Sequence, residues 1–122
     1  MRVNGTLQIV DEEVQSGDVD VALQLTVESP QETTYKLMQY VPAAFTIDKA
    51  VYQTTSGSIT ANIRINTTSV GGLSALSVTG TEAETAASSN NLVAVGDTLD
   101  IVLTSNSSAV MVSITIVGRI IT

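Results

Sequence analysis

The sequence predicts an all-β fold: a single antiparallel β-sandwich over residues 1–122, jelly-roll-like, with an immunoglobulin-like sandwich as the alternative. Three observations carry that expectation. First, strict apolar–polar alternation recurs. It is clearest in Val19–Val27, where Val19, Val21, Leu23, Leu25 and Val27 share one parity and Asp20, Ala22, Gln24 and Thr26 the other. A period of two is what a pleated strand shows when one face is buried and one is wet. Second, turn signals separate such stretches at spacings of roughly ten residues, which gives about eight to ten strands. Third, no stretch reads as a good helix, so the βαβ units of a parallel sheet have no basis. The lack of a Cys…Trp…Cys pattern counts only against the antibody subtype of the alternative.

Taken in order, Thr6–Val10 predicts a short strand that ends in the charged loop Asp11, Glu12, Glu13, and Ser16-Gly17-Asp18 is turn chemistry. Val19–Val27 is a half-buried strand. Ser29-Pro30-Gln31 is a loop, because proline removes a ladder donor and restrains its predecessor. Ser29 and Glu32 have capping-box spacing, but TTYKLMQYV after them is too short and too β-branched for a good helix. Thr33–Tyr40 therefore reads as a short strand, ended by Pro42. Ala44–Tyr52 reads as a strand with Phe45, Ile47, Lys49 and Val51 on one parity. Lys49 interrupts that face, as a stem snorkelling at a sheet margin would.

The centre of the pattern is a hairpin. After a turn at Thr54–Ser58, Ile59, Ala61, Ile63 and Ile65 alternate with Thr60, Asn62, Arg64 and Asn66. A turn at Ser69–Gly72 then returns the chain through Leu73, Ala75 and Val78. Thr81–Asn91 is polar and reads as an exposed strand or a loop. Leu92–Val95 is a short strand, Gly96-Asp97 a tight turn, and Leu99, Ile101 and Leu103 alternate. Ser105–Ser108 signals another turn. Val110, Val112, Ile114 and Ile116 form the last long strand.

Composition narrows the chemistry. The chain has no cysteine, histidine or tryptophan, and only Phe45 and three tyrosines carry rings, so the core must be aliphatic. Serine–histidine and cysteine–histidine nucleophile arrangements are excluded, and zinc loses its usual ligands. No phosphate-binding glycine loop occurs; Gly71-Gly72 is a turn doublet. Paired carboxylates remain, but the aromatic-lined cleft of a glycosidase has no material here, and the chain is read as a non-enzyme without a cofactor. Asp18 and Asp20, spaced two apart beside the Asp11–Glu13 loop, are weak candidates for calcium and lack EF-hand spacing; solvated turn carboxylates are the plainer reading.

The net charge of −7 is uneven. Residues 1–32 hold seven acids against one base, Arg2, and the other ninety residues hold five acids against four bases. Such a surface repels a phosphate backbone, so nucleic acid is not an expected partner. The acidic part suits solubility or a basic partner. Three Asn-x-Ser/Thr triplets, at Asn4, Asn66 and Asn106, are expected by chance in a chain so rich in Ser and Thr. No signal peptide is recognisable after Met1, and no apolar run approaches the roughly 20 residues of a membrane span. Synthesis in a host cytoplasm is the expectation.

Residues 46–109 carry a resemblance. The order TIDKAVYQTTSGSITANIRIN, then TTSVGGLSALSVTGTEAETAASSNN, then LVAVGDTLDIVLTSNSSA is similar to a small β-sandwich module of tailed-bacteriophage virion proteins. That module recurs in head decoration (cement) proteins, head fibres and tail-fibre tips. With the flanking strands, residues 44–117 correspond to it. Where relatives often begin the strand after Ser-Ser-Ala with a polar pair, this chain has Val110-Met111. The resemblance implies a non-enzymatic virion part on the capsid surface, oligomeric, with a homotrimer favoured. The chain shows no shaft-forming heptad or rod repeat, which favours decoration of the major capsid protein over a receptor-binding fibre module. A carbohydrate-binding module is a further alternative, with Tyr35, Tyr40, Tyr52 and Phe45 as its available rings. In the decoration reading, the acidic part, residues 1–32, supplies partner contacts, either by strand addition through Leu7 and Ile9 or by charge through Asp11, Glu12 and Glu13. Val117, Ile120 and Ile121 exceed what one strand face buries and are candidate oligomer contacts; a two-sided core strand is the plainer reading.

Overall fold

The structure, a computed structural model, describes residues 3–10 and 19–120. The alternating stretches become strands β1 (Val3–Val10), β2 (Val19–Val27), β3 (Thr34–Met38), β4 (Phe45–Gln53) and β5 (Ser56–Ile65). They are followed by β6 (Thr68–Ser69), β7 (Leu76–Val78), β8 (Ala83–Ala86), β9 (Leu92–Val93), β10 (Leu99–Val110) and β11 (Val112–Ile120). No helix occurs among the described residues, including the stretch after Ser29.

One sheet runs β1-β2-β11-β4-β8, with β9 beside β8 on the same edge of β4; the other runs β3-β10-β5-β6, with β7 also on β5. Every named pair is antiparallel. The order has a simple origin. From β2 onward the chain is a long ribbon folded on itself: β2 pairs β11, β3 pairs β10, β4 pairs β8 and β9, and β5 pairs β6 and β7. Winding that ribbon so that successive strands alternate between two sheets produces a jelly roll. The immunoglobulin-like alternative is thereby corrected. Its last two strands would be neighbours in one sheet, whereas β10 and β11 lie in different sheets.

The inner faces meet in an aliphatic core. Leu23, Ile47, Ile63, Leu99, Ile101, Leu103, Ile114 and Ile116 are among its fully enclosed side chains. Each such burial contributes about 1.5–3 kcal/mol. The two tyrosine rings that enter the core each bring a polar end with a partner. The Tyr35 hydroxyl accepts from the Gln31 N–H at 2.9 Å, and the Tyr52 hydroxyl bonds Thr85 Oγ1 at 2.7 Å.

Strict alternation fails where the backbone bulges. The β4–β11 ladder pairs Lys49 with Val117 and Ile47 with Gly118, so Asp48 has no opposite residue. A β-bulge of this kind resets the side-chain parity. Phe45 and Ile47 are buried before it, Ala50 and Tyr52 after it. Lys49 and Val51 therefore lie on the outer face, contrary to the parity read from sequence, and Lys49 does not snorkel at the margin of the buried face. Its Nζ reaches Glu84 of β8 at 3.1 Å, while Arg119 grips the bulged Asp48 with two bonds of 3.1 and 3.3 Å.

Other expectations shift for similar reasons. The central hairpin forms, but its reversal is the two-residue turn Asn66-Thr67, both at positive φ, which matches the twist of the flanking strands. The segment Val70–Leu73 then loops out with both of those side chains buried, and the return strand is Leu76–Val78, which leaves Ala75 exposed. Thr81–Asn91 contains an exposed strand, β8. The short strand expected over Leu92–Val95 stops at Val93. Ser105–Ser108 does not reverse the chain. Ser105 and Ser108 adopt positive φ, and β10 slips register twice against β5 while continuing to Val110. The crossing into the other sheet happens at Met111, also at positive φ, so Val110 ends β10 instead of opening β11.

Gly118 faces the bulge. A Cβ there would overlap the carbonyl oxygen of Thr46, a backbone atom that cannot swing aside. Gly118→Ala is expected to lower unfolding stability by about 1–3 kcal/mol in urea melts. Gly80→Ala, whose added Cβ would have its nearest neighbour at 3.8 Å, is expected to change stability by less than about 0.5 kcal/mol.

Candidate functional site

The two ends of the sandwich differ. At one end the chain crosses between sheets at β4–β5 and β10–β11. An open pocket of about 320 Å³ lies there, lined by Gln53, Thr54, Thr55, Met111 and Ser113. Thr54 is buried, its N–H donates to Thr79 O at 2.8 Å, and its hydroxyl donates to Gly57 O at 3.1 Å. The lining carries no ionisable side chain and its buried Thr54 is already engaged, so the lining offers no acid–base pair.

At the opposite end the loops 39–44, 66–67 and 94–98 are bound into one unit. Asn66 is the hub. Its N–H donates to Thr98 O, its Oδ1 accepts from the Thr98 N–H, and its Nδ2 donates to Asp97 Oδ1, each at 2.9 Å. Asp97 in turn caps the turn that precedes it: Oδ2 accepts from the Ala94 N–H at 2.8 Å, and Gly96 supplies the positive φ in that turn. The buried Val41 exchanges bonds with the same turn, donating to Asp97 O and accepting from Gly96 N. The Thr98 hydroxyl donates to Gln39 O at 3.2 Å.

This hydrogen-bonded frame presents apolar side chains to solvent. Within residues 20–120 four large hydrophobic side chains are exposed, and three of them, Tyr40 (63%), Val95 (56%) and Leu92 (65%), belong to this end. Val110 is the fourth and lies at the other end. The Tyr40 ring lies close enough to Gly96 that a Cβ there would be in van der Waals contact with it. Single exposed hydrophobics need no explanation; three at one end of the sandwich make that end the more apolar of the two.

The ionisable groups are mainly structural. Arg64 and Asp100, directly opposite on β5 and β10, form a two-pronged pair at 2.7 and 3.0 Å, with Asp100 almost fully buried. The Asp100 hydrogen bond raises the Arg64 pKa above its ordinary value, burial opposes that rise, and the carboxylate charge adds to it. Lys36, on the other side of Asp100, donates to Gln39 Oε1 at 2.7 Å. No group of three His, Cys, Asp or Glu side chains gathers as a metal site among the described residues, and no helix there is long and apolar enough to cross a membrane.

The residues singled out from sequence are dispersed. Leu7 and Ile9 lie in β1, opposite Leu23 and Val21 of β2. Asp20 is exposed at the start of β2, opposite Arg119. Val117 is half-buried on the outer face of its sheet, and Ile120 packs against the edge of the core. Asp11, Glu12, Glu13, Asp18 and Ile121 lie outside the described residues. The loop cluster around Asn66 and Asp97 was not singled out. Its one sequence signal was the Val-Gly-Asp turn.

Two predictions follow from these contacts. Asp100→Ala strands the Arg64 guanidinium and is expected to cost about 2–4 kcal/mol in chemical denaturation; Arg64→Met with Asp100→Leu should recover most of that loss. The second concerns acid. Hydrogen bonds from the Ala94 N–H and, next, from Asn66 hold the Asp97 pKa below its ordinary 3.8. A carboxylate whose pKa is depressed by folding stabilises above its unfolded pKa, and the effect fades as pH falls through the folded value. Asp97→Asn should therefore melt below the parent protein at pH 7, and the gap should close as pH drops beneath about 3.8. Compared with known proteins, the chain matches no family model and no curated sequence.

Proposed function

We propose that this chain is a non-enzymatic virion protein of a tailed bacteriophage, a decoration protein that docks on the outer surface of the major capsid protein lattice and stabilises the head. The observation that carries the proposal is the rigid loop end presenting Tyr40, Val95 and Leu92. The resemblance of residues 46–109 to virion modules supports it, and the jelly roll is an architecture that capsid proteins use. Fold alone does not assign function, so the weight rests on the loop end. A binding protein with this scaffold would act by mass action: whatever binds the assembled shell and not its dissociated parts raises the stability of the shell.

A second reading draws on the same loops. Tyr40 offers an exposed ring in a cluster that also holds Gln39, Asn66 and Asp97, which is how a glycan-recognising fibre tip would be equipped. One comparison separates the two. Heads purified without this protein are titrated with it and heated, and the protein is separately incubated with host envelopes. Decoration predicts a higher bursting temperature and a loss of head binding of at least about tenfold in the Tyr40→Ser, Val95→Ser double variant. An unchanged bursting temperature together with envelope binding would replace decoration by the fibre reading.

A further inference from the structure

We propose that the pocket at the β4–β5 and β10–β11 crossings is a binding site for a neutral polyol, namely a sugar unit of a neutral glycan. The inference stands apart from the decoration proposal and from the loop end, because it rests on the hydrogen-bonding atoms this pocket has free. Its lining, Gln53, Thr54, Thr55, Met111 and Ser113, bounds about 320 Å³, at the small end of ligand sites. That lining carries no ionisable side chain and no ring. A charged ligand would enter without a counter-charge, and an apolar one would cover hydroxyls and leave them unpaired.

Bonds within the fold decide what the lining offers. The Thr54 hydroxyl donates its one hydrogen to Gly57 O at 3.1 Å, so toward a ligand it only accepts. Gln53 is anchored by Nε2, which donates to Gly80 O at 2.8 Å, and Oε1 is the acceptor of that fixed amide. The hydroxyls of Ser113, half-buried, and Thr55, exposed, each donate and accept. The lining is thus richer in acceptors than in donors. A fitting ligand brings donors without bringing charge, and adjacent hydroxyl groups do that. The Met111 thioether and the threonine methyls supply apolar surface for the C–H groups between them.

The pocket is preformed. Backbone bonds from Thr54 N to Thr79 O, Thr55 N to Val110 O and Met111 N to Glu28 O hold its walls at 2.8, 2.9 and 3.0 Å. Met111 is kept at positive φ, as are Ser105 and Ser108 before it, and backbone held in such conformations clusters at binding sites. The lining also continues along the sheet. Ser113 stands opposite Gln53 of β4 on one side and opposite Thr26 of β2 on the other. A row of neutral polar groups therefore crosses the outer face of three strands, over about 10 Å. That row favours a sugar unit within a chain over a free sugar.

Backbone amide spectra of the full chain, titrated to about 100 mM with methyl glycosides of glucose, galactose, mannose and N-acetylglucosamine and with their short oligosaccharides, test this. At least one sugar should move the amides of residues 53–55 and 111–113, with a dissociation constant of roughly 1–30 mM, and its oligosaccharide should bind roughly three- to thirtyfold tighter. The same glycoside with its ring hydroxyls O-methylated has no donor and should leave those amides unmoved. Gln53→Lys keeps a donor for Gly80 O but removes the acceptor, and should weaken binding at least about tenfold. Gln53→Glu keeps an acceptor and should bind within about threefold of the parent. Gln53 is exposed, so far-ultraviolet circular dichroism should stay that of the parent in both variants. Tyr40→Ser, at the opposite end, should leave the titration unchanged. Binding of free hexoses with methyl glycosides rejected keeps the polyol site and assigns it to a free sugar. The inference is overturned if no sugar moves these amides, if Gln53→Lys binds like the parent, or if a blocked neutral dipeptide binds there more tightly than any sugar.

Discussion

Everything in this fold depends on two sheets closing over a seam of aliphatic side chains. Without disulfides, with no metal group gathered among the described residues and with few rings, that seam is the main source of cohesion. The strands that form it contribute side chains that are almost wholly enclosed, from Val21 and Leu23 in β2 to Leu103 in β10 and Ile116 in β11. β-branched and leucine side chains suit this arrangement because they pack stiffly on a pleated surface and carry no polar group that would need a partner inside. Among the interior polar groups, the hydroxyls of Tyr35 and Tyr52 each have a hydrogen-bond partner, whereas Asn62 Oδ1 is buried without one.

Closing the seam forces local departures from regularity, and those departures organise the surface. The bulge at Asp48 lets β4 bury Phe45 and Ile47 on one side of it and Ala50 and Tyr52 on the other, and the carboxylate freed by the bulge receives Arg119. The close approach of Thr46 to β11 at this point leaves room for glycine alone at Gly118. At the loop end, the positive φ of Asn66 and Thr67 reverses the chain in two residues and turns the Asn66 amide toward Thr98 and Asp97. The hydrogen bonds that lock the loops thus come from residues already needed for the turns. A surface held this way loses little conformational entropy on docking, which favours recognition by preformed contact.

The loop end offers side chains, Tyr40, Val95 and Leu92, so any recognition there would depend on shape and apolar area. The opposite end offers the neutral pocket between Thr54 and Met111, whose buried threonine is already hydrogen-bonded within the fold.

The sequence by itself determined the fold class, because a period of two with turn signals between the stretches has few solutions once helices are excluded. The strand Val19–Val27 was legible for that reason, as were the alternating centres of two others, Ile59 to Ile65 and Val112 to Ile116, and the jelly-roll choice in outline; β5 begins at Ser56, inside the turn expected over Thr54–Ser58. The bulge at Asp48 was not, since an unmatched residue looks like any other polar residue until its partner strand is known; hence the misassigned parity of Lys49 and Val51. Nor was the continuity of β10 through Ser105–Ser108, where turn-forming residues serve register slips against β5 instead of a reversal. The loop cluster joins Gln39, Asn66 and Asp97, which are far apart along the chain, and only the winding of the ribbon brings them together. The exposure of Tyr40 was decided in the same way: composition placed it among the rings, but its neighbourhood is a property of three loops meeting at one end. Local pattern set which residues face inward, and long-range pairing set where the alternation breaks and which loops share a surface.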